Sequence, residues 1–122
     1  MTIKKDRDNT IKMYQGDTGR IRFKGFKTDK NYLISFVIYN SKRKIISEIK
    51  IYTEKQDYIT VNITQDISNK LTVAPNLSYE TYYYGIKKNN IDTKTEDTMT
   101  IGNSKFGEQN KFIVFALKAE GI

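Results

Sequence analysis

Short apolar runs recur every eight to twelve residues along this 122-residue chain, each broken by a cluster of polar turn formers. That rhythm is the spacing of strands in a β-sandwich or a small barrel. Ile11 and Met13 alternate in a first strand, and Gly16-Asp17-Thr18-Gly19 reads as a hairpin turn into Ile21 and Phe23. Tyr32 to Tyr39, YLISFVIY, is the most continuously apolar run, so it is expected at the centre of a sheet with both faces packed. After the turn Asn40-Ser41-Lys42-Arg43, alternation places Ile45, Ser47, Ile49 and Ile51 on one face and Glu48 and Lys50 on the other. YITVNI repeats the pattern with Ile59, Val61 and Ile63 inward. Only TQDISNKL breaks the period: Thr64 can cap, Asp66 suits a first turn, and Ile67 and Leu71 fall on one helical face. A short helical crossing between sheets is predicted there. YETYYYGIK then reads as a strand, Asn89-Asn90 as a turn, the stretch through Thr98, Met99 and Ile101 as a weaker strand, and KFIVFALK as the closing strand.

The apolar residues are of the β-forming kind, Ile, Val, Phe and nine Tyr. His, Cys and Trp are absent, which removes imidazole acid-base chemistry, thiolate nucleophiles, disulfides and Cys-based zinc sites. Asp92, Glu96 and Asp97 form the densest acidic cluster, but interleaved threonines make it read as a solvated edge strand. Gln15 to Gly19, QGDTG, opens no helix after a buried strand and so lacks the setting of a phosphate-binding loop. No catalytic residues, no metal ligands and no cofactor are therefore expected, and the chain reads as a binder or a building part and not as an enzyme.

The net charge of +7 is concentrated at the N-terminus, where residues 1–30 hold nine Lys or Arg against four Asp. Lys4, Lys5, Arg7, Arg20 and Arg22 are the basic residues read as contact candidates. In the tyrosine strand, Tyr79 and Tyr83 share one face with Gly85, while Tyr82, Tyr84 and Ile86 share the other. One set belongs in the core and the other is half-exposed, without the spacing deciding which; Tyr79 and Tyr83 are taken as the second interface candidate. The N-terminus has no apolar run behind its charges, so no secretory signal is read, and no segment is long and apolar enough to span a bilayer.

MYQGDTGRIRF, LSYETYYYGI and FIVFALKAEGI, in that order, resemble the small N-terminal β-domain of tailed-phage upper-baseplate proteins. The matching elements are Gln15-Gly16-Asp17, the strand Tyr82-Tyr83-Tyr84-Gly85-Ile86 after a short helical crossing, and Phe112 to Phe115 leading to Glu120-Gly121. The resemblance implies an immunoglobulin-like β-sandwich that docks to other tail or baseplate proteins, first in the bacterial cytoplasm and then in the virion. Lys118 to Ile122 could add to that contact. The helical linker that follows in baseplate adaptors has no counterpart after Ile122, so attachment without carriage of a further module is the expectation. The complete reading is all-β: an immunoglobulin-like β-sandwich of about seven to eight antiparallel strands with one short helical crossing. Residues 1–9 read as a basic, flexible arm and residues 10–122 as a single β-sandwich domain. A phage or prophage structural protein working through protein-protein contacts, in homo-oligomers or with other tail proteins, is the leading function. Single-stranded nucleic acid binding and carbohydrate binding are the alternatives, and no membrane partner is expected.

Overall fold

The computed structural model describes residues 3–24, 31–54, 57–90, 95–99 and 110–116, without the side chains of Glu54, Asn90 and residues 95–99. The described residues hold nine strands and one helix: β1 (Lys4–Lys5), β2 (Ile11–Tyr14), β3 (Gly19–Lys24), β4 (Asn31–Tyr39), β5 (Ile45–Glu54), β6 (Tyr58–Ile63), α1 (Gln65–Lys70), β7 (Tyr79–Asn90), β8 (Thr95–Met99) and β9 (Asn110–Phe115). The fold is all-β and sandwich-like. A seven-stranded sheet runs in the order β1-β2-β9-β7-β4-β5, with β8 also on β7, and a two-stranded sheet pairs β3 with β6. The long β7 is flanked by β4 on one side; on the other, β9 pairs Tyr79 to Tyr84 and β8 pairs Ile86 to Asn90, end to end.

β4 is central, as its unbroken apolar run predicts, being hydrogen-bonded to β5 and to β7. Its inward residues Ile34, Phe36 and Ile38 meet Ile21, Phe23, Ile59 and Val61 of the small sheet in one buried cluster. An aromatic contact ties the two sheets: Phe23 lies 5.8 Å from Phe36 and 5.7 Å from Tyr84, and Phe36 stacks on Tyr84 at 5.1 Å. Burying each such ring contributes about 1.5–3 kcal/mol, so this triad is a principal tie between the layers. α1 forms the predicted crossing from the small sheet to the large one. The Thr64 hydroxyl accepts the Ile67 N–H at 3.5 Å, Asp66 lies in the first turn, and Leu71 is fully buried just past the end.

Three expectations are corrected. The QGDTG segment is not a hairpin turn, because β2 pairs with β1 and β9 while β3 pairs with β6. It is a corner that carries the chain from one sheet to the other. Asp17 donates its N–H to Tyr14 O at 3.0 Å and its carboxylate accepts the Tyr14 N–H at 3.3 Å, with Gly16 at φ +88°. Nor are all pairs antiparallel: β2 and β9 run parallel, from Ile11 opposite Phe112 to Tyr14 opposite Phe115. Asn89 and Asn90 belong to β7 and not to a turn.

Of the stretch read as a basic arm, Ile3 to Asn9 is described, and it carries β1 and its turn. Asp6 forms an ion pair with Lys12 at 2.9 Å, and Tyr84 donates its hydroxyl to Asn9 O at 2.6 Å. The Asp8 carboxylate, which accepts the Thr10 N–H at 3.1 Å, is held below the ordinary carboxylate range chiefly by that bond.

Candidate functional site

The outer face of the large sheet is the candidate interface, because Tyr14, Ile45, Tyr52 and Tyr79 stand exposed on it around the buried Ser35 and Val37. In β7 the two tyrosine faces separate as the spacing implies, and the structure decides between them: Tyr82 and Tyr84 are buried, Tyr79 is exposed and Tyr83 half-buried. The Tyr82 hydroxyl donates to Thr72 O at 2.6 Å, and burial pushes the Tyr84 phenol well above the ordinary tyrosine range. On the outer side, sheet register aligns Tyr14, Phe115 and Tyr79 in one row across β2, β9 and β7. Their ring centroids are 5.8 Å and 6.2 Å apart, the separation of tilted aromatic contacts. Tyr14 and Tyr79 remain 44% and 52% exposed, so the row offers ring surface to a partner.

The face continues through Tyr83, directly opposite Tyr39 of β4 and Lys111 of β9, to a shallow trough of about 240 Å³. Val37, Tyr39, Ile45, Glu48, Gly85 and Lys87 line it. Gly85 makes the trough: a Cβ there would come within 2.7 Å of the Tyr39 hydroxyl, so any side chain would push that ring aside. The result is an apolar hollow with an acid and a base at its rim.

Ile45 reaches this face through an irregularity that alternation alone does not reveal. A register shift between Ile38 and Tyr39 leaves Ile45 opposite Tyr39 and Ser47 opposite Ile38. The extra residue turns Ile45 outward, 60% exposed, while Ile46 packs against the core. The expected inward position of Ile45 is therefore wrong, whereas Ser47, Ile49 and Ile51 do face inward.

The basic candidates lie elsewhere. Arg20 and Arg22 project with Lys24 from the outer face of the two-stranded sheet, on the opposite side of the sandwich from Tyr79 and Tyr83. Arg22 stacks over the Tyr58 ring at 4.4 Å, and none of the three cations forms an ion pair among the described residues. Lys4 and Lys5 sit on the two-residue edge strand β1, with Arg7 in the turn beyond it. Lys5 donates to Asn9 Oδ1 at 3.2 Å and lies 5.7 Å from the Phe23 ring. The seven candidate residues thus divide among two faces and an edge and do not form one site.

Sequence reasoning missed Tyr14, Phe115, Tyr39 and Tyr52 as members of the outer face, and Lys24 as the third cation of the stripe. Tyr14 and Lys24 continue alternations that were legible from Ile11-Met13 and Ile21-Phe23. Of the acidic cluster, Asp92 and the side chains of Glu96 and Asp97 lie outside the described residues, as does the tail from Lys118 to Ile122. No helix among the described residues is long and apolar enough to cross a membrane. The chain matches no family model and no curated protein.

Proposed function

We propose that this chain is a non-enzymatic attachment module of the phage tail or baseplate type, an immunoglobulin-like sandwich that docks to another tail protein through the outer face of its large sheet. The observation that carries the reading is the row Tyr14-Phe115-Tyr79, whose two tyrosines stand exposed, continued by Tyr83 to the trough over Gly85. Protein interfaces are enriched in aromatic residues at their centres and ringed by polar ones. Here Lys12, Lys111, Lys87 and Glu48 supply the ring. The order of the Gln-Gly-Asp corner, the helical crossing, the tyrosine strand and the closing aromatic strand supports the tail assignment.

The test is co-purification with the products of the genes that flank its own. Wild-type protein is expected to co-elute with a tail or baseplate protein, and Tyr79→Arg, an exposed position, to abolish co-elution without lowering the melting temperature. Flanking genes without tail components, or a Tyr79→Arg variant that binds as well as wild type, would refute the proposal.

A second reading, contact with single-stranded nucleic acid, is favoured by the stripe Arg20, Arg22 and Lys24. Alternate positions on one strand repeat about every 6.8 Å, and cations so aligned can track a phosphate backbone.

A further inference from the structure

The two edges of the large sheet are built differently. At one end β1 is two residues long and carries two lysines, which protects it from pairing. At the other end β5 runs ten residues, Ile45–Glu54, contains no proline, and has no strand on its outer side among the described residues. A long free edge is a template for another strand.

We infer that the strand it accepts is β5 of a second copy of this chain, antiparallel about a two-fold axis at Ile49. Antiparallel partners that share a face must have position numbers of matching parity, so registers slip in steps that keep Glu48, Lys50 and Tyr52 outward. Centring the pair on Glu48 sets two glutamates opposite each other, and centring it on Lys50 sets two lysines opposite each other. Centring it on Ile49 places Glu48 of each copy against Lys50 of the other, twice by symmetry. Both side chains are exposed, and neither has an ion-pair partner among the described residues.

The same register explains two further features. Tyr52 and Ile45 are 56% and 60% exposed at opposite ends of β5. Pairing about Ile49 sets Tyr52 of one copy beside the bulged end of the other strand, where Ile45 is turned outward. Inward, the half-buried Ile49 meets its own counterpart, and Ile51 lies opposite Ser47. The dimer extends the seven-stranded sheet through the β5 edge and does not use the row around Tyr79.

Sedimentation equilibrium across a wide concentration range tests the inference. Wild-type protein is expected to dimerise. Glu48→Lys and Lys50→Glu should each weaken dimerisation about tenfold or more, because like charges then face each other across the axis. An equimolar mixture of the two variants should form a heterodimer, and the double variant E48K/K50E should self-associate like wild type, since both restore opposite charges. Circular dichroism and melting temperature establish that each variant is folded, and Tyr79→Arg should dimerise normally, which separates this edge from the proposed docking face. A monomeric wild type, single variants that dimerise unchanged, or a mixture that stays monomeric would each overturn the register.

Discussion

Replacing Tyr84 with Phe removes one oxygen atom and isolates the tie that holds the N-terminal turn to the sheet. The ring itself, stacked on Phe36 and packed against Phe23, keeps its place and volume. What is lost is the 2.6 Å bond from its hydroxyl to Asn9 O, which joins residues 75 apart in sequence. A hydrogen bond of this kind contributes about 1 kcal/mol net, and Asn9 is only half-buried, so water can take over part of the role. Urea unfolding should therefore show a loss of about 1 kcal/mol with an unchanged m-value, equivalent to a melting shift of about 3–5 °C at this chain length. Tyr82→Phe, which loses a 2.6 Å bond to Thr72 O, is the matched reference and should cost about as much, ~1 kcal/mol. There is also a signature at high pH. The folded protein holds the Tyr84 proton above the ordinary tyrosine pKa, so the unfolded chain releases it first. Its contribution is complete below about pH 10 and declines as pH rises past that value. Tyr84→Phe should flatten this alkaline decline. A neutral or stabilising substitution, or an alkaline limb identical to wild type, would refute the argument.

Two further outcomes are expected. Gly16→Ala places a Cβ in open space but at φ +88°, so it should cost only the backbone penalty, about 1–2 kcal/mol by chemical denaturation, with the fold retained. If the cationic stripe contacts nucleic acid, titration with single-stranded DNA at two salt concentrations will show affinity that falls steeply with salt and is lost in an Arg20→Glu, Arg22→Glu, Lys24→Glu variant; no binding at low salt removes that reading.

What was legible in the sequence is what local periodicity encodes. The unbroken run at Tyr32 to Tyr39 marked the central strand, and the break at Thr64 marked the crossing helix. The spacing of the tyrosines divided Tyr79 and Tyr83 from Tyr82 and Tyr84, but which pair is buried became visible only with the second sheet in place. What failed depends on partners distant in the chain. Gly16 to Gly19 signalled a turn, but a turn does not state whether its flanking strands pair with each other or join different sheets. Nothing local to Ile11 or to Phe112 announces that they lie side by side in parallel. Ile45 was misplaced because the register shift that turns it outward belongs to the pairing of β4 with β5, and either strand alone shows plain alternation. The basic residues clustered in sequence and then parted, because the corner at Gly16 sends β1 and β3 to different layers.

The position of β9 between β2 and β7 has a consequence for how the protein is made. Among the described residues β2 is hydrogen-bonded within the large sheet only to β1 and β9, so the β1–β2 pair has no seat in the growing sheet until residues 110–115 have been synthesised. At translation rates of 5–20 residues per second the interval after Tyr14 is roughly 5–20 s, during which Ile11 and Met13 lack the strand that seats them. Parallel pairing across so much sequence is slow to form. The N-terminal hairpin is the first structure the chain can make and the last it can place.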